Sequence, residues 1–212
     1  MKYSDDTIET DAAMIRQEPA YNMTDSSDNS YQIKGVLTVS DLEETPEDRR
    51  VELINGVFYD MAEPLILHQN IVGEIFGQLR EFIYKNKGSC KPYVAPVGVR
   101  PNADDDHTVL EPDVFVVCDP EKQKHPRYII GGPDLVVEVL SVSTKKRDMT
   151  IKKQIYHDAG VREYWIVDPE EERVLVHDFE HGNVTYIHSF EESVPVRIYE
   201  NALEIDLREF VH

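Results

Sequence analysis

The sequence predicts an α+β domain in which one mixed sheet carries helices on its faces and ends in a C-terminal β-meander. Three observations lead there. The apolar runs Val114-Phe115-Val116-Val117, Leu135 to Leu140 and Tyr164-Trp165-Ile166-Val167 are strand-sized and read as strands buried on both faces. Two longer segments, 65–85 and 148–159, place apolar residues at helical spacing. The order helix, strands, helix, strands, without an internal repeat, suits a mixed sheet better than strict βα alternation.

Taken from the N-terminus, residues 1–33 are polar, and Thr24-Asp25-Ser26-Ser27-Asp28-Asn29-Ser30 has the composition of a disordered acidic tail, with room for a short helix over Ile8 to Arg16. The folded domain is expected over 34–212. Ser40-Asp41-Leu42-Glu43 reads as a capping box for a short helix that Pro46 ends. Val51 to Ile54 and Val57 to Met61 flank Asn55-Gly56, the dipeptide suited to a tight hairpin turn. In the first long helix Ile71, Val72, Ile75, Phe76, Leu79, Phe82 and Ile83 form a buried stripe, and His68 lies along it near the N-terminus. Tyr93 to Arg100 is a strand interrupted by Pro96, Asn102 to His107 a turn, and Val109 to Cys118 and Leu135 to Leu140 are strands joined by a Pro- and Gly-containing loop. A second long helix begins at Asp148 or Thr150 and stops at Gly160. Strands follow at Glu163 to Asp168, Arg173 to Phe179 and Val184 to Phe190, and then short segments at Val196 to Tyr199 and Leu203 to Leu207.

A chain of 212 residues supports one sizeable core. Its longest apolar stretches are strand-sized and the N-terminus lacks an apolar h-region, so the expectation is a cytoplasmic protein with no membrane span. Cys90 and Cys118 show neither a second pair nor a CxxC spacing, so both are expected reduced and packed. The net charge of −19 argues against binding nucleic acid through a broad basic surface. Residues 1–33 hold seven acids against Lys2 and Arg16, so the domain itself is also acidic.

Glu138 is the most informative single residue, because a carboxylate in the middle of a doubly buried strand is costly without a partner. Asp113 stands at the mouth of another such strand. Two acids on neighbouring strands fit a divalent cation; the alternative is that Asp113 caps a turn and Glu138 pairs with a buried Arg or Lys. The following helix puts Asp148, Ile151, Lys152, Ile155, Tyr156 and Ala159 on one side, with Ile151 and Ile155 facing the core. Lys152 then leans inward, where its amine reaches the end of the Glu138 strand unless it merely snorkels. Asp, Glu and Lys together suit phosphodiester hydrolysis: acids hold Mg²⁺, with Mn²⁺ as a substitute, and the ammonium steadies developing charge. Glu52 and His68 are accessory candidates, Glu52 being open to a solvated strand face and His68 to ordinary core packing. Lys145, Lys146 and Arg147 form a local basic cluster, placed in the loop before the helix, that suits a phosphate backbone or simple solvation.

The stretches Glu52-Leu53-Ile54-Asn55-Gly56, Glu111-Pro112-Asp113-Val114-Phe115-Val116-Val117, Gly132-Pro133-Asp134-Leu135-Val136-Val137-Glu138-Val139-Leu140-Ser141, Arg147-Asp148, Lys152, Tyr156 and Gly160 to Pro169 resemble the Uma-two family of restriction endonucleases, within the PD-(D/E)xK nuclease superfamily. The likeness runs from about Leu37 to the C-terminus. Two positions depart from the family pattern: Val142, where proline is common, and Asn55, where aspartate is usual. The resemblance implies a restriction-endonuclease-like core, Asp113 and Glu138 as metal ligands, and a catalytic lysine moved onto the next helix as Lys152. It also implies DNA as the partner. A nuclease that cuts both strands of a duplex is naturally a twofold assembly, so a homodimer is expected.

Overall fold

Strands form where the apolar runs require them, and the sheet they build decides which side chains meet. A computed structural model describes residues 36–46, 48–141 and 145–211. The predicted tail over 1–33, Val142 and Ser143-Thr144 lie outside the described residues. The first helix, α1 (Val39–Glu43), is capped by Thr38, whose hydroxyl accepts from Asp41 N while the Asp41 carboxylate accepts from Thr38 N at 2.8 Å. The capping box therefore starts at Thr38, two residues before the predicted Ser40. The hairpin forms as predicted, β1 (Val51–Ile54) pairing antiparallel with β2 (Val57–Asp60) across Asn55 and Gly56, both at positive φ. At Gly56 a Cβ would lie 2.0 Å from Val36 Cγ1, so only glycine suits both the angle and the space.

The long helix α2 (Ile66–Lys85) buries Ile71, Val72, Ile75, Leu79 and Ile83, the predicted stripe. Beyond it, β3 (Lys91–Val94) and β4 (Gly98–Arg100) divide the predicted strand at Pro96. The expected strand from Val109 to Cys118 is shorter. Only β5 (Val114–Val117) pairs in the main sheet, while Val109 and Leu110 bridge Leu53 and Val99. Within the expected Pro- and Gly-containing loop a further strand, β6 (Tyr128–Ile130), pairs parallel with β4. Then come β7 (Leu135–Val139), β8 (Glu163–Asp168), β9 (Arg173–Asp178) and β10 (Val184–Ser189). The six-stranded sheet has the order β10-β9-β8-β7-β5-β3, with β7 and β8 parallel and the other pairs antiparallel. The predicted meander begins with β9-β10 and continues into the small pair β11 (Val194–Pro195) and β12 (Glu204–Ile205), while most of the segment expected at Val196 to Tyr199 is a 3-10 turn, Arg197–Tyr199.

Alternation along β7 sorts the two cores. Leu135, Val137 and Val139 pack with α2, whereas Val136 joins Phe115, Tyr156, Tyr164 and Ile166 on the opposite face. Glu138 follows the Val136 parity, away from α2 and towards the helix that follows β7. Cys90 and Cys118, expected reduced, are joined in a disulfide. The register of β3 with β5 pairs Lys91 with Val117, and one step further sets the two cysteines opposite each other, a placement that sequence spacing does not encode. Among the described residues no helix is long and apolar enough to cross a membrane.

One buried acid far from the other candidates fastens the C-terminal segment. Glu163 accepts from Trp165 Nε1 at 2.6 Å and from Ile198 N at 2.9 Å, and burial pushes its carboxyl up to about 7 despite these donors. Above the ordinary value of 4.5 the unfolded chain releases this proton while the folded protein keeps it until about 7. The contribution to stability is thus present below 4.5 and lost as pH rises through 7. The Glu163→Gln variant should lack this loss, so the parent should weaken relative to it by on the order of 3 kcal/mol across that window. Denaturant unfolding of both proteins from pH 4 to 8 measures the difference; a constant gap would contradict the assignment.

Candidate active site

The segment after β7 is one helical run in three parts: α3 (Lys145–Arg147), a π-helical turn (Asp148–Lys152) and α4 (Lys153–Asp158). It starts at Lys145, earlier than predicted, so the basic cluster belongs to a helix and not to a loop. The wide turn resets the phase of the helix. Asp148, Lys152 and Tyr156 point inward, while Ile151, expected in the core, is 39% exposed.

Lys152 Nζ lies 3.0 Å from Glu138 Oε1, 2.9 Å from Glu52 Oε1 and 3.2 Å from Asp148 Oδ1, with only 2% of the residue exposed. Tyr156 donates its hydroxyl to the same Glu138 oxygen at 2.9 Å. Glu52 is buried with the rest of β1 and accepts from Glu111 N at 2.9 Å, which excludes the solvated-face alternative. Asp113 Oδ2 accepts from Val139 N at 2.8 Å and lies 3.3 Å from His68 Nε2. This bond ties the start of β5 to the residue beside Glu138. His68 Nδ1 is buried and has no hydrogen-bond partner among the described residues.

Glu52, His68, Asp113, Glu138, Asp148 and Lys152 line a cavity of about 500 Å³, together with Arg50, Lys145, Arg147 and Asp168. Burial, together with the charges of Asp148, Asp113 and Glu52, holds the Glu138 carboxyl well above its ordinary range, and the Lys152 charge offsets this only in part. Burial would lower Lys152, but Glu138, Glu52 and Asp148 outweigh it and keep the side chain an ammonium. For His68, too, burial acts downward, and the hydrogen bond and charge of Asp113 carry it above its usual value. Three carboxyl groups, those of Glu138, Glu52 and Asp148, thus contact one ammonium, and Asp113 lies on the same cavity. Their oxygens are hard donors with an excess of negative charge, the chemistry that a Mg²⁺ or Mn²⁺ ion takes. Among the described residues no three His, Cys, Asp or Glu side chains form a ready cage, since Lys152 sits between three of the acids.

Residues 38–208 match the Uma2 family model, whose description is "Putative restriction endonuclease". The chain belongs to the Uma2 family. Among solved structures it is similar to the crystal structure of a putative nuclease belonging to DUF820 from Anabaena variabilis, with a TM-score of 0.68 and 18% identity over 82% of this chain and 97% of that one. That likeness shows the fold. No curated protein matches the sequence.

Within this Uma2 domain the structure brings Glu138, Lys152 and Glu52 into direct contact and sets Asp113 and His68 on the same cavity. The contacts match the alternative reading in part: Glu138 pairs with a buried lysine, while Asp113 accepts from the Val139 amide of β7 instead of capping a turn. The basic cluster divides. Lys145 lines the cavity, pairs with Asp168 at 3.2 Å and lies 3.8 Å from Glu170. Arg147 also lines it, stacked 4.4 Å over the Tyr59 ring, whereas Lys146 is exposed. Asp148 and Asp168 were missed as site residues. Asp148 read as a helix cap and Asp168 as a strand end; the signal available for Asp148 was its four-residue spacing from Lys152.

Proposed function

We propose that this Uma2 domain hydrolyses phosphodiester bonds in DNA, with Asp113, Glu138 and Lys152 as its catalytic residues and Mg²⁺ as cofactor, Mn²⁺ substituting. The observation that carries the reading is the buried contact of Lys152 with Glu138, made by residues of different elements on the wall of an open cavity. Asp113 and Glu138 would hold the cation, which when bound supplies activation of water and neutralisation of phosphoryl charge. Lys152 presents a fixed ammonium where negative charge grows, and its burial strengthens that field. Glu52 keeps the ammonium in place, and Asp113 orients the His68 ring. Lys145 and Arg147 at the cavity, with exposed Lys146 beside them, supply contacts for the phosphate backbone.

A cleavage assay on plasmid and single-stranded substrates with Mg²⁺ or Mn²⁺, run beside Glu138→Ala, tests the reading. Metal-dependent products from the parent alone support it; no cleavage of either substrate rejects it. The second reading is a binding or regulatory module on the same fold, favoured by the net charge of −19 and by acids already satisfied internally. Cutting both strands of a duplex suits a homodimer, and β10 offers an outer edge strand without Asp, Glu, Lys or Arg for pairing. Sedimentation at micromolar concentration should give twice the monomer mass; a monomer would remove the dimer from the proposal.

A further inference from the structure

We infer that Tyr156 and Tyr164 are positioning residues: Tyr156 sets the Glu138 carboxylate through Oε1, and Tyr164 anchors the π-helical turn that delivers Lys152 to the same oxygen. The activity readout of this inference rests on the proposed hydrolysis; its structural readout does not.

Both tyrosines are completely buried, and their rings pack at 5.1 Å between centroids. Filling that space needs only phenylalanine. A buried hydroxyl must find an acceptor, and each of these finds one that matters to the site. The Tyr156 hydroxyl reaches Glu138 Oε1 at 2.9 Å, the atom that Lys152 contacts at 3.0 Å. Among the described residues no donor reaches Oε2. The terminal torsion of a glutamate is soft, so a single donor leaves the carboxylate free to rock, whereas two donors on one oxygen fix its plane. Oε2 is then the oxygen left for a ligand entering the cavity that Glu138 lines.

Tyr164 works one step back. It comes from β8, where it pairs in parallel register with Val136, and its hydroxyl donates to the Asp148 carbonyl at 3.0 Å. Asp148 opens the π-helical turn, and a regular α-helix would direct that carbonyl along its own axis to the amide four residues on. The bond from the sheet supports the wider turn. In an unbroken α-helix Ile151 would share the inward stripe, as the sequence periodicity suggests; the wide turn gives that place to Asp148, Lys152 and Tyr156.

The test compares Tyr156→Phe and Tyr164→Phe with Tyr93→Phe, which loses a hydroxyl bonded to Gln123 away from the cavity lining. Calorimetry with Mn²⁺, kcat and KM on plasmid DNA, melting temperature and metal-free crystal structures are measured for each. Both site variants should fold, Tyr156→Phe melting near the parent and Tyr164→Phe lower, because it parts Lys152 from a buried acid. Tyr156→Phe should lower Mn²⁺ affinity and kcat by about 10- to 100-fold with KM unchanged, and its crystal structure should show Glu138 rotated. In Tyr164→Phe the turn should revert towards an α-helix and Lys152 should leave Glu138. Variants that match Tyr93→Phe in metal affinity and kcat, that keep the site geometry, or that fail to fold would overturn the inference. If the parent neither binds Mn²⁺ nor cleaves, the hydrolase reading falls, and the metal-free structures still decide whether the two hydroxyls position the site.

Discussion

Glu138→Gln is expected to lower Mg²⁺-dependent cleavage by at least about 1,000-fold, since a ligand worth several kcal/mol of transition-state stabilisation is removed. The protein should nevertheless stay folded and melt at the same or a higher temperature without metal. The amide oxygen can still accept from Lys152 and Tyr156, while one charge leaves a group of three carboxylates gathered around a single ammonium. Asp113→Asn should behave alike in the assay, with its oxygen still able to accept from Val139 N. Plasmid cleavage and calorimetric melting, with and without Mg²⁺, check both variants. Strong destabilisation of each, in a parent that never binds metal, would make the acids a purely structural network.

Lys152→Met should fail in two ways. Loss of a directed electrostatic contact lowers kcat by about 100- to 1,000-fold. Removing the cation also leaves Glu52, Glu138 and Asp148 buried without their shared partner, which costs about 3–5 kcal/mol. Because a divalent ion can replace the missing charge, Mg²⁺ should raise the melting temperature of this variant more than that of the parent. Lys153→Ala is the control. It removes the same charge from the neighbouring position, where the half-buried side chain lies near His177 and outside the cavity lining. Equal losses in both variants, or no loss in either, would show that Lys152 is not the catalytic lysine.

Much of this site was legible because the cost of burying charge is legible. Glu138 stands out within an apolar run, and helix spacing alone leans Lys152 towards the end of its strand. The hairpin and the α2 stripe were readable for the same reason: turn chemistry and amphipathic period are local properties. What stayed hidden depended on contacts between distant segments. Burial of Glu52 arises from the hairpin being covered by other elements, so alternation along β1 alone pointed to the wrong surroundings. The exposure of Ile151 follows from the π-helical turn, whose anchor lies on a strand beyond the helix. Pairing of β4 with β6, and of Cys90 with Cys118, depends on registers that no periodicity specifies.

The chain brings the proposed site's acids from the first hairpin, from the approach to β5 and from β7, and its ammonium from the helical run that follows them. Any fragment that holds them together must run at least from Glu52 to Lys152. A ribosome-bound chain that has not yet released the helical run has the carboxylates without their cation, and one cut after the hairpin has lost Glu52. Closing contacts of such long sequence separation comes late, after the loop entropy between them has been overcome. An enzyme that attacks DNA would in this way stay harmless during its own synthesis and again as soon as proteolysis begins, with completion of the fold serving as its safety catch.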